Sequence, residues 1–222
     1  MAARRSHELK GKKIIVSAGP TREAIDPVRF LSNRSSGKMG FAIADAAARR
    51  GAEVVLVAGP VDRTTPFDVR RIDVTTAKEM QAAIESERDG ADAVIMTAAV
   101  ADYVPRYSEQ KIKKADDTLT LTLDRGVDIL AGLGADRKER MLVGFAAETE
   151  ALLEHAKGKL ERKNLDFIVA NDVSGSAIGM DADDNAVTIL ARDGSTTRIE
   201  QASKRVVAER ILDRLYAESP DE

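Results

Sequence analysis

The stretch Ser35-Ser36-Gly37-Lys38-Met39-Gly40 puts small residues and a cation at the start of an Ala-rich run. Small side chains leave backbone N–H groups open to an anion, and a helix N-terminus adds about half a positive charge. Arg34 and Lys38 add formal charge. The pattern suits a phosphate site. It equally suits an ordinary helix start, which attracts the same residues. It is not a Walker A loop, because Gly37-Lys38 is followed by Met39 and residue 32 is Ser rather than Gly.

A second polar segment runs from Thr97 to Lys114. Asp102 stands just after an apolar run, where a carboxylate can hold Mg²⁺ through a polyphosphate. Lys111, Lys113 and Lys114 form a compact basic cluster. Such a cluster can close over phosphates and neutralise a leaving pyrophosphate, or it can simply be a solvated charge run. Tyr107 and Lys111 have the Tyr-x-x-x-Lys spacing of short-chain dehydrogenases. Pro105 breaks the helix that pair needs, and no Gly-x-Gly-x-x-Gly follows the first apolar run. Asp181, Asp183 and Asn185 open like an EF-hand loop, but Ala186 and Arg192 fill positions that need Gly and Glu.

With 2 His and no Cys, a Ser-His-Asp or Cys-His mechanism and a Cys-based zinc site are poor fits. Chemistry here must rest on positioning and electrostatics. The net charge of −3 and the scarcity of aromatics argue against a nucleic-acid partner. No apolar run approaches the ~18 residues of a membrane span. Met1 to Lys13 lacks the apolar core of a secretory signal, so a cytoplasmic protein is expected.

The elements that must position these loops are legible as apolar runs. Lys13 to Ala18, Glu53 to Ala58, Val69 to Val74 and Ala93 to Thr97 read as strands, as do Met141 to Ala146 and Phe167 to Ala170. Met39 to Arg50, Ala77 to Glu87, Thr149 to Lys163 and a C-terminal run through Val207, Ile211 and Leu215 read as helices. Thr118 to Leu123 alternates strictly and predicts a half-exposed strand. Ala186 to Ala191 and Thr196 to Glu200 flank Asp193-Gly194, a hairpin signal. The fold expected is α/β: a Rossmann-like, mostly parallel sheet with helices on both faces and a small antiparallel extension. One domain is expected over residues 11–218, with a polar linker before it and a short tail at 219–222.

Five segments recur in an order that carries a resemblance. They are Gly19 to Gly40 with its Ser32-Asn33-Arg34-Ser35-Ser36-Gly37-Lys38-Met39-Gly40 end, Ala98 to Tyr103, Lys111-Ile112-Lys113-Lys114, Val143 to Thr149 and Ala170 to Val173. Together they resemble the phosphopantothenate–cysteine ligase domain of the bacterial bifunctional coenzyme A biosynthesis protein, over roughly residues 10 to 217. The departures are a Gly-Pro start to the first loop and a slightly short stretch before Lys111.

The resemblance implies a homodimer in which each site borrows from both protomers. It implies that the carboxylate of 4′-phosphopantothenate attacks CTP to give an acyl-cytidylate, which the amine of L-cysteine converts to an amide. Asn33 would hold the activated acyl group and Lys111 would assist its formation. Met96, Thr97, Ala98, Val127, Asp128, Ile129, Leu130, Phe145, Lys159 and Lys163 would contact the nucleotide, with Lys111. Asp102 would approach the nucleotide and its Mg²⁺. Arg29, Ser35, Gly37 and Ala99 would join Asn33 at the substrate. A flavin-dependent decarboxylase would form an N-terminal partner domain, with no flavin on this one.

Overall fold

The computed structural model describes residues 8–114, 117–148, 152–172 and 182–217. In chain order the elements are β1 (Lys13–Ala18), β2 (Arg22–Ala24), β3 (Phe30–Ser32), α1 (Lys38–Arg49), β4 (Glu53–Ala58), β5 (Val69–Asp73), α2 (Ala77–Glu87), β6 (Ala93–Met96), β7 (Tyr103–Pro105), β8 (Leu123–Arg125), α3 (Ile129–Ala135), β9 (Met141–Glu148), α4 (Leu152–Arg162), β10 (Phe167–Asp172), β11 (Asp184–Ala191), β12 (Thr196–Ser203) and α5 (Lys204–Leu215).

Eight strands form one sheet in the order β12-β11-β10-β9-β6-β1-β4-β5. The strands from β5 to β10 run parallel, and β11 and β12 add an antiparallel edge. Ile15 is central, paired with Val55 on one side and Val94 on the other. Continuous β-branched runs suit such strands, because helices cover both faces. One face carries α1 and α5 over Ile14, Val16, Val143 and Val169; the other packs Met80, Ile84, Leu133 and Leu160 over Ile15, Val94 and Ile168. Ile43 of α1 is fully buried, worth about 1.5–3 kcal/mol relative to exposure. Thr76 and Glu79 close a capping box at the start of α2. This is a Rossmann-like α/β fold.

The chain leaves β1 toward β4 and β5, then returns to place β6 on the other side of β1. That reversal opens a crevice at the carboxyl ends of β1 and β6. Its walls are stitched closely. Thr97 Oγ1 donates to Ser17 O at 2.5 Å, Ala99 N to Gly19 O at 2.9 Å and Ala101 N to Thr21 Oγ1 at 3.1 Å. Two glycines permit the approach. A Cβ on Gly59 would lie 1.8 Å from Pro20 O, and one on Gly40 would lie 2.5 Å from Thr97 Oγ1.

Several boundaries differ from the sequence reading. The alternating run Thr118 to Leu123 does not form a strand of its own; only Leu123–Arg125 pairs, with Tyr103–Pro105. Leu119 and Leu121 stay exposed, because no sheet face among the described residues covers them. The first loop contains the hairpin of β2 and β3, and the Gly-rich Ile129–Ala135 forms α3. Leu9, within the expected linker, is buried and its N–H donates to Arg50 O. The helix expected from Thr149 begins at Leu152 in the described chain, and 149–151 lie outside the described residues.

Candidate active site

A cavity of about 410 Å³ lies over the carboxyl ends of the central strands. Three walls can be traced to local sequence. The first is the entry to α1. Gly37 caps this helix in the left-handed conformation, φ 71°, and offers no side-chain acceptor to its first turn. The N-terminal peptide dipoles of α1 therefore face the cavity beside Arg34, Ser35 and Lys38. Lys38 Nζ reaches Asp183 Oδ1 at 2.6 Å, and that ammonium holds the Asp183 carboxyl below the usual carboxylate range.

The second wall is the loop after β6. Met96, Thr97, Ala98, Ala99, Val100 and Asp102 line the cavity. Asn33 crosses to this loop: its Nδ2 donates to Ala99 O at 3.3 Å and Val100 O at 3.1 Å. Two carbonyl partners fix which end of the amide is nitrogen. The N–H donors are thus occupied, and Oδ1 is the end left for a ligand.

The third wall joins α3 and α4. Asp128 caps α3, accepting Ala131 N at 3.0 Å, and its Oδ1 also takes Lys163 Nζ at 2.8 Å. Burial pushes the Asp128 carboxyl up, but Lys163, the Ala131 N–H and nearby charge outweigh it and hold it below the ordinary range. Lys159 lies one turn before Lys163 and lines the same wall. Val127, Ile129, Leu130 and Phe145 supply the apolar part.

The cavity thus gathers Asn33, Ser35, Gly37, Asp102, Lys159 and Lys163 with the 96–99 and 127–130 segments and Phe145. Arg29 and Lys111 stand outside its lining. Arg29 is held by Asp26, through Nε at 3.0 Å and Nη2 at 2.5 Å, and Nη2 also donates to Ile112 O at 2.9 Å. Lys111 is exposed. Their two segments are tied together, because Ile112 N donates to Asp26 Oδ2 at 3.1 Å.

Asn171, Asn185 and Lys204 also line the cavity, though the sequence reading gave none of them a site role. Asn171 Oδ1 is enclosed and has no hydrogen-bond partner among the described residues. Strand alternation through Val169 carries the signal, since Asn171 must share that residue's face. Lys204 is buried and donates to Ala182 O at 2.6 Å. Among the described residues no group of three or more His, Cys, Asp or Glu is placed to hold a metal.

The family described as "DNA/pantothenate metabolism flavoprotein C-terminal domain" matches residues 9–218. The chain belongs to that family. The coenzyme A biosynthesis bifunctional protein CoaBC of Bacillus subtilis is 49% identical over 214 residues, 96% of this chain and 53% of that protein. Its Haemophilus influenzae counterpart is 53% identical over 190 residues, 84% of this chain and 47% of that protein. The chain therefore spans about half the length of the curated relatives it matches.

Among solved structures, the C-terminal domain of a CoaBC protein superposes with a TM-score of 0.82 at 43% identity, covering 95% of this chain and 96% of that one. A Cab2 mutant solved in complex with phosphopantothenate-cysteine shares the fold at TM-score 0.72 and 16% identity, covering 93% and 85%. None of the helices described is long and apolar enough to cross a membrane.

Proposed function

We propose that this domain joins 4′-phosphopantothenate to L-cysteine, using CTP, as the ligase half of a bifunctional coenzyme A biosynthesis protein. The observation that carries the reading is the cavity itself. It sets an α1 N-terminus without a side-chain cap, a cation-bearing α4 face and the anchored Asn33 amide around one space. A polyphosphate, an acyl group and an amine need those three environments.

In the first step a carboxylate oxygen of phosphopantothenate attacks the α-phosphorus of CTP. The bond from that phosphorus to the bridging oxygen breaks and pyrophosphate leaves with the electron pair. Lys159 and the α1 dipole stabilise the spreading charge, while Lys163 helps to hold the nucleotide in the ground state. In the second step the cysteine nitrogen attacks the acyl carbon, the C–O bond breaks, CMP leaves and the nitrogen sheds a proton to water. Asn33 Oδ1 is suited to accept an N–H from the incoming amine, orienting its lone pair.

Of the two lining carboxylates Asp128 is engaged by Lys163, which leaves Asp102 to meet Mg²⁺ carried in on the nucleotide rather than a resident ion. Bound there, Mg²⁺ would neutralise phosphate charge, held by the nucleotide and Asp102.

A second copy of this chain completes the reading. Phe30, Tyr103, Tyr107, Leu119, Leu121 and Leu123 are exposed, and the small sheets carrying several of them meet where β2 packs on β7. A homodimer would cover this apolar surface and bring one protomer's Lys111 toward its partner's cavity. The expected setting is cytoplasmic. A flavin-dependent decarboxylase is the expected N-terminal partner domain, in keeping with the bifunctional relatives.

Pyrophosphate release tests the proposal. Release should require CTP, Mg²⁺ and phosphopantothenate together, and cysteine should convert the intermediate to an amide with one CMP per amide. Release without phosphopantothenate, or no release with all three, would contradict it.

A further inference from the structure

A second cavity, of about 990 Å³, lies at the opposite end of the sheet, beneath the starts of β6, β9 and β10. Arg140, immediately before β9, lines it and is only 4% exposed. Its Nη1 is enclosed and bonds nothing among the described residues. Tyr216, at the end of α5, lines the same cavity, and its hydroxyl is likewise enclosed without a partner among the described residues. Buried donors without acceptors are rare, and a charged one is the most costly.

The other cations of the lining are already matched. Lys12 pairs with Asp92 at 2.9 Å, Lys138 with Asp89 at 3.5 Å, Arg88 with Asp136 at 3.0 Å, and Arg137 with Asp166. Arg140 has no ion pair among the described residues. Glu139, exposed on the rim, is adjacent in sequence but leaves the Arg140 Nη1 unbonded. The carboxyl ends of α2, α3 and α5 point to this end of the sheet, and their dipoles explain why basic residues collect here. They do not explain a guanidinium nitrogen that bonds none of their carbonyls. Burial also keeps the Tyr216 phenol protonated by pushing its pKa up, so it is a hydrogen-bond donor.

We propose that this cavity binds a small oxyanion, a phosphate or carboxylate group, between the Arg140 guanidinium and the Tyr216 hydroxyl. A guanidinium fork with a second donor beside it matches the two or three oxygens of such a group. The site is separate from the ligase cavity, since it sits at the starts of the strands whose far ends carry Met96 and Phe145.

The test is a backbone-amide NMR titration of the whole chain with inorganic phosphate and, separately, with acetate. The amides of Arg140, Met141 and Tyr216 are expected to shift saturably with at least one anion. Saturation by phosphate alone identifies a phosphate site, and by acetate alone a carboxylate site; both outcomes support the proposal. In Arg140→Gln the apparent Kd for that anion should rise about tenfold or more. Unperturbed amides across α1 would show that the variant is folded. Should Arg140→Gln not fold, Tyr216→Phe should weaken binding by about threefold or more. Absence of saturable shifts at these amides with both anions would overturn the proposal, as would unchanged affinity in the folded variants.

Discussion

Asp26 and Arg29 hold each other at 2.5 Å across one tight turn, and the enclosed Asp26 carboxylate also takes the backbone N–H of Ile112. The residue before Ile112 is Lys111. A local pair in the first loop therefore anchors the segment that carries the basic cluster. Replacing Asp26 with Asn should leave the sheet intact and release this anchor. Hydrogen exchange at the Ile112 amide should speed up about tenfold or more, while amides of β1 and β6 stay protected. Equal protection at Ile112 would show that other contacts hold the segment.

The same carboxylate sets a pH dependence. The Arg29 guanidinium leads in depressing the Asp26 pKa, against burial, with help from the Val28, Ile112 and Arg29 backbone N–H groups. A depressed carboxyl stabilises the fold above its unfolded pKa of about 3.9 and loses that contribution as pH falls toward the folded value. The stability advantage of the native chain over Asp26→Asn should be flat from about pH 7 to 5 and shrink below about pH 4. Denaturant titrations at stepped pH measure this. An advantage that grows on acidification would contradict the assignment.

Asn33 is anchored by two carbonyls, so Asn33→Asp sets a carboxylate against Ala99 O and Val100 O. The variant should fold, as circular dichroism will report, and kcat for amide formation should fall about a hundredfold. Full turnover in Asn33→Asp would remove the role given to this residue.

Lys163 joins α4 to the Asp128 cap at the cavity wall. Lys163→Met should raise the KM for CTP about tenfold with a smaller change in kcat, the signature of lost ground-state binding. Steady-state kinetics at saturating cysteine separates the two parameters. An unchanged KM would place the nucleotide elsewhere.

Gly40→Ala tests the close approach of α1 to the strand ends. Inside an ordinary helix the change gains up to about 1 kcal/mol. Here the added Cβ would fall 2.6 Å from Ala18 Cβ and 2.5 Å from Thr97 Oγ1. The variant should lose about 1–3 kcal/mol instead, visible as a lowered midpoint in denaturant. A stabilised variant would mean that the helix can shift without cost.

The parallel sheet was legible because its strands are buried on both faces and so read as unbroken apolar runs, Ile14 to Val16 and Val54 to Val57 among them. The alternation at Thr118 to Leu123 misleads for the converse reason. Alternation needs a face to pack on, and Leu119 and Leu121 find none among the described residues. Short α3 escaped because two glycines in its seven residues mask its propensity.

At the site, helical spacing gives Lys159 and Lys163 a shared face, their place at the nucleotide being implied only by the resemblance, and the Gly37 turn follows from its composition. The withdrawal of Arg29 into a pair with Asp26 depends on side-chain geometry across the Asp26 turn and the Ile112 backbone, which no periodicity expresses. Asn185 and Lys204 reach the cavity through the β11–β12 edge and the start of α5, far from the loops that carry the motifs.

Activation of the carboxylate by nucleotidyl transfer places one of its oxygens on phosphorus, and an isotope measurement reads that transfer. Phosphopantothenate labelled with ¹⁸O in its carboxylate is turned over with CTP and cysteine, and the products are weighed by mass spectrometry. Transfer of one labelled oxygen to the phosphate of CMP is the predicted result, because the attacking oxygen stays on phosphorus when the amine displaces CMP. Label in inorganic phosphate, or CMP without label, would contradict the mechanism.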